Sequence, residues 1–147
     1  MSEDEEKMKK AKQILQMVEE TFSNLKQWAI EMLKDNGRIM PTVFTDKDLI
    51  VLSNENIKDE IKKIDSEHKV WFMASEILSS DEKVPTENSE QLLLKGKAKR
   101  FIAMLVVFHN IAFFRVYEII YSGDQIDLRP ESNLALDRKT MLQKILS

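Results

Sequence analysis

Between Arg100 and Tyr121 the chain reads RFIAMLVVFHNIAFFRVYEIIY, two apolar runs separated by the polar pair His109-Asn110. Val, Ile, Phe and Tyr crowd both runs, and β-branched and aromatic side chains suit a pleated strand better than a helix. The polar pair predicts a hairpin with a two-residue loop, and such a loop sets the register. Val106 then faces Phe113, Met104 faces Arg115 and Ile102 faces Tyr117 on one side. Leu105 faces Phe114, Ala103 faces Val116 and Phe101 faces Glu118 on the other. Apart from one charge per side, both faces are apolar.

Each large apolar side chain gains about 1.5–3 kcal/mol on full burial, so a wet face would forfeit a great deal. Two covers satisfy the demand. Helices of the same chain lie on both sides, or the long first helix takes one side and a second copy takes the other. Arg115 and Glu118 point to opposite faces, so each needs solvent or a separate partner.

The remaining elements follow from periodicity. From about Glu5 to Asp35, Ala11, Leu15, Val18, Phe22, Leu25, Ala29 and Met32 recur at three- and four-residue steps, the stripe of an amphipathic helix. Acidic residues from Glu3 to Glu6 suit its positive end, and Asn36-Gly37 stops it. Arg38–Phe44 predicts a short strand that Pro41 assigns to an edge, followed by a turn at residues 45–48 and a strand at Leu49–Leu52. Ser53 or Asn54 is then expected to cap a second helix carrying Ile57, Ile61 and Ile64. His68–Leu78 fits both periods; Val70, Trp71 and Phe72 in succession favour a strand. Ser79 to Lys97 reads as a long loop, with Leu92-Leu93-Leu94 as a short element inside it. Ser122-Gly123-Asp124 makes a turn, and Ser132 or Asp137 opens a last helix with Leu136, Met141, Leu142, Ile145 and Leu146.

Together these elements predict one α+β domain over residues 1–147. Its small mixed or antiparallel sheet has about five strands, with the central hairpin near residues 100–121. A long N-terminal helix, a short middle helix and a C-terminal helix pack on it.

Composition narrows function mostly by exclusion. Cysteine is absent, which removes disulfides, thiolate metal sites and cysteine nucleophiles. A net charge of −3 argues against a dedicated nucleic-acid binder. The N-terminal MSEDEEKMKK has no apolar core of the kind a secretory signal needs, so a cytoplasmic location is the expectation. Membrane insertion of Phe101–Tyr121 is disfavoured by Arg115 and Glu118, each costing roughly 2.5–3.5 kcal/mol at mid-bilayer.

Candidate sites are few. Lys95, Lys97, Lys99 and Arg100 form the densest basic patch and are the candidate nucleic-acid contacts; without an interleaved aromatic platform, a solvated loop and strand start is the preferred explanation. His68 and His109 lack ligand spacing, and the carboxylate pairs Asp46/Asp48 and Asp124/Asp127 read as turn chemistry. The three glycines form no phosphate-cradling loop. Glu76 and Glu118 are acids in apolar company, the pattern of either a functional buried acid or an ion pair. No catalytic, cofactor-binding or metal residue is assigned, and no cofactor is expected.

The expected function is therefore non-catalytic association, as a homodimer or an accessory subunit of another protein. Phe101, Leu105, Phe114, Val116 and Trp28 are the candidate interface, and eight methionines offer adaptable packing. Nucleic-acid binding through Lys95–Arg100 is one alternative. An enzyme built on Glu76, Glu118 or His109 without a local motif is another.

Overall fold

A computed structural model describes residues 2–53, 55–80 and 98–147. The expected loop between residues 81 and 97, with Leu92-Leu93-Leu94, Lys95 and Lys97, lies outside the described residues. The elements are α1 (Glu3–Asn36), β1 (Thr42–Phe44), β2 (Leu49–Val51), α2 (Ile57–Glu67), β3 (Val70–Ser80), β4 (Ala98–Phe108), β5 (Ile111–Ser122), β6 (Gln125–Asp137) and α3 (Arg138–Leu146). All strand pairs are antiparallel, in the order β2-β1-β3-β4-β5-β6.

The β4–β5 hairpin has the register read from the sequence, Phe101 opposite Glu118 through Phe108 opposite Ile111. His109 takes φ 55° and is the only described non-glycine residue with positive φ. Residues 68–78 resolve in favour of the strand, which runs on to Ser80.

Three expectations need correction. The sheet has six strands rather than about five, because Gln125–Asp137 is a strand in place of the expected turn-to-helix connection. Only Asp137, not Ser132, starts the last helix, its carboxylate accepting from the Thr140 N–H at 3.0 Å. β6 is nearly all exposed and carries Pro130, so the period-2 apolar signal of a half-buried strand is missing. β1 is internal, with β2 at the edge; Pro41 precedes β1, where no ladder donor is needed, and its carbonyl accepts from Leu52. α2 begins at Ile57 behind Asn56, while Ser53 builds the preceding turn by accepting from the Glu55 N–H.

Two apolar layers sandwich the sheet. On one face α1 lays Val18, Phe22, Leu25, Ala29 and Leu33 over Ala74, Ile102, Met104, Val106, Phe113, Tyr117 and Leu128. On the other, α2 and α3 bring Ile61, Ile64, Met141 and Leu142 onto Val43, Trp71, Met73, Leu105, Val107 and Ala112. Within the chain, then, helices lie on both faces. Gly37 ends α1 with φ 75°, its N–H bonded to the Leu33 carbonyl.

The helix and the core beneath it differ in length. α1 is about 51 Å long, yet its buried residues span only about 23 Å, from Val18 to Leu33. Everything from Ser2 to Gln13 is exposed. Ala11 and Leu15 belong to the predicted stripe but have no sheet under them.

Candidate association surface

Strand alternation sends Ser75 and Ile77 of β3, Phe101, Ala103 and Leu105 of β4, and Phe114 and Val116 of β5 to the face opposite α1. Leu134 of β6 joins them beside Phe114. α2 and α3 reach only part of this face. Leu105 is buried and Phe114 half-buried beneath α3; farther along the strands, Phe101, Ala103 and Val116 stay half-buried, with Ile77 and Leu134 about 42% and 43% exposed.

The uncovered part forms a groove of about 410 Å³ lined by Met73, Ser75, Ile77, Ala103, Leu105, Phe114, Leu134, Met141, Lys144 and Ile145. That volume lies at the lower end of ligand-sized pockets. Ser75 and Lys144 are the only polar side chains in the lining, and Lys144 supplies its single charge. Such a surface offers contact area and one cation. Among the described residues its lining holds no Asp, Glu, His or Cys.

Four of the five candidate interface residues, Phe101, Leu105, Phe114 and Val116, share this face. Trp28 does not. It belongs to α1 and packs edge-on against Phe44 at 4.9 Å on the other face of the sheet, so the structure separates it from the other four. Leu134, Met141, Lys144 and Ile145 complete the groove. Sequence reading missed Leu134 because its strand was missed, and it gave Met141 and Ile145 only a core role.

Of the basic candidates, Arg100 is held inside the fold, as are the acids Glu76 and Glu118. Arg100 donates through Nε and Nη2 to Glu76, through Nη1 to the Tyr121 hydroxyl at 2.9 Å, and through Nη2 to the Gly37 carbonyl at 2.6 Å. It ties β3, β4 and β5 to the end of α1. Lys99 is exposed beside it. Arg115 is paired with Glu19 and lies over the Phe22 ring at 4.2 Å, the charge-over-aromatic geometry that tolerates partial burial. That hydrogen bond holds the Glu19 carboxyl below its ordinary value. Glu118, 8% exposed, is paired with Arg129 on the neighbouring strand. Both hairpin charges have thus found separate partners on opposite faces.

Glu76 and Glu118 lie on opposite faces, and His109 is at the hairpin tip, so no single cleft gathers them. His68 follows α2, its Nδ1 at 3.5 Å from Asp46. Thr45 and Asp48 close the β1–β2 turn by mutual hydrogen bonds, and Asp127 accepts from the Leu128 N–H at 2.8 Å. Among the described residues no three His, Cys, Asp or Glu side chains gather as a metal site, and no helix is long and apolar enough to cross a membrane.

A second and larger hollow, about 710 Å³, opens between α2 and α3 and is lined by Lys62, Asp65, Asn110, Asp137 and Arg138 among others. Two of its charged groups are tied up within the fold: Arg138 and Asp65 bond together, and Asp137 caps α3 by accepting from the Thr140 N–H. The apolar groove is the hollow with the most apolar lining. Compared with known proteins, the chain matches no family model, no curated protein and no solved structure.

Proposed function

We propose that this protein acts by association rather than catalysis, and that it forms a homodimer through the open half of the sheet. The observation that carries this reading is the groove: Ile77, Ala103, Phe114 and Leu134 present an apolar floor beside one cation, Lys144. Apolar patches rimmed by polar residues are the usual mark of an interaction surface. Among the described residues α1 packs on one face and α2 and α3 on part of the other, and this patch is apolar sheet surface left open between them.

Size-exclusion chromatography with light scattering across micromolar concentrations tests the proposal. The expected result is a dimer mass that falls toward the monomer on dilution. Leu134→Glu and Ile77→Glu alter half-exposed side chains and are expected to leave the circular dichroism spectrum intact while shifting the protein to monomer. A strict monomer throughout the range would overturn the reading.

A further inference from the structure

The apolar stripe of α1 runs on past the end of the sheet. Met8, Ala11 and Leu15 continue the line of Val18, Phe22, Leu25 and Ala29 at alternating steps of three and four, one unbroken heptad seam. From Val18 onward the seam is buried in the core; before it, Met8 is 62% and Leu15 53% exposed. A heptad seam is the surface that a second helix packs against.

Charge decides which helix fits. The acids Glu3 to Glu6 are balanced by Lys7, Lys9, Lys10 and Lys12, so the segment has no net charge to repel its own copy. Glu5 and Lys12 flank the seam on the same side, and neither side chain has an ion-pair partner among the described residues. In a parallel pair Lys7 would meet the partner's Lys12 across the seam, a like-charge contact. In an antiparallel pair, positions on the same flank meet. Glu5 then lies beside the partner's Lys12, and a two-fold axis makes that contact twice.

Length decides the register. A heptad seam admits antiparallel registers only in steps of one heptad. With Met8 opposite the partner's Ala11, Leu15 reaches the partner's Asp4, and the partner's Glu3 ends opposite Gln16, just short of Val18, where the core takes over the seam. One heptad farther in, Lys12 would face the partner's Lys12 and Glu5 the partner's Glu19, and the partner's tip would need seam already buried in the core. One heptad farther out, Leu15 is left bare.

We infer that two copies of this chain pair antiparallel through the free ends of α1, with Met8 against the partner's Ala11 and Glu5 beside the partner's Lys12. This contact is separate from the groove, which lies on the opposite face of the sheet, and does not depend on it.

Sedimentation equilibrium of the full chain carrying Ile77→Glu and Leu134→Glu isolates the helix contact. The overlap from Asp4 to Leu15 is about 18 Å long, less than a standard interface supplies, so a monomer–dimer equilibrium is expected at about 0.1–1 mM. In that background Met8→Glu and Leu15→Glu, both at exposed positions, are each expected to weaken the dimer about tenfold. Glu5→Lys or Lys12→Glu alone is expected to weaken it about fivefold, and the two together to restore it, with circular dichroism confirming that the helix is kept. A monomer up to about 1 mM overturns the inference, and leaves the groove reading standing if the unaltered chain dimerises at micromolar concentration. A dimer whose constant ignores the charge reversals, or in which they do not correct each other, also overturns it. A micromolar dimer broken by Leu15→Glu but untouched by the groove variants removes the groove reading and supports this one.

Discussion

Arg138, the first residue of α3, is locked onto Asp65, near the end of α2. Its Nε donates to the Asp65 carboxylate at 2.7 Å, and its remaining N–H groups go to the carbonyls of Asp65, His68, Lys69 and His109. All five guanidinium donors are thereby used. The same carboxylate oxygen accepts from the Trp71 indole at 3.1 Å. One side chain thus joins the end of α2, the start of β3, the β4–β5 turn and the start of α3. Arg138→Ala would leave the half-buried Asp65 carboxylate with the Trp71 indole as its remaining donor and release four carbonyls, two of them on exposed residues, at an expected cost of about 2 kcal/mol. Arg138→Lys should recover little, since an ammonium cannot reproduce the planar fork. Urea denaturation of both variants checks this.

The β4–β5 turn holds a mild strain at His109. Its φ of 55° is the left-handed region, and Asn110 does not share it, so only the first turn position needs glycine-like freedom. His109 holds the turn through its backbone, its N–H bonded to the Lys69 carbonyl and its own carbonyl accepting from Arg138, and its ring packs edge-on against Phe108 at 4.6 Å. His109→Gly retains both hydrogen bonds but gives up the ring contact with Phe108, so relief of strain is expected to leave a net gain of under about 0.5 kcal/mol. The urea midpoint should rise with an unchanged slope.

Gly37 is the converse case. Its φ of 75° closes α1, and no atom lies within 4 Å of where a Cβ would stand, so a substitution meets backbone strain alone. Its carbonyl also receives Arg100. Gly37→Ala is expected to cost about 1 kcal/mol, and Gly37→Asn less, because asparagine tolerates the left-handed region better. Thermal melts of the two variants, read side by side, check the order.

Arg115 holds the Glu19 carboxyl below its ordinary value of 4.5, chiefly by its hydrogen bond. A carboxyl with a depressed folded pKa adds stability that is fully present above the unfolded value, and that stability disappears as pH falls from about 4.5 through the folded value. Glu19 is 60% exposed, so solvent screening keeps the effect under about 1 kcal/mol. Glu19→Gln should therefore lower stability slightly at pH 7 and flatten the loss between pH 5 and pH 3. Denaturation midpoints measured across that interval test the sign.

Much of the architecture is local and was legible. The hairpin register followed from alternation and a two-residue turn, because a slip by one residue would have reversed every side chain. The extent of α1 followed from its stripe and its glycine stop. β6 was illegible for the opposite reason. An edge strand with most side chains in water has no alternation to read, and a bulge at Val116/Tyr117 shifts its pairing as well. Missing β6 meant missing Leu134, and with it one wall of the groove.

By itself the sequence determined that a hairpin with two apolar faces must be covered on both sides, and that Arg115 and Glu118 must find different partners. Those are consequences of side-chain period and of the cost of stranding charge away from water. Only the tertiary structure decided how far each cover extends. α1 outruns the core beneath it, whereas α2 and α3 fall short of the face they share, and the lengths of separate elements become comparable only once they are packed together.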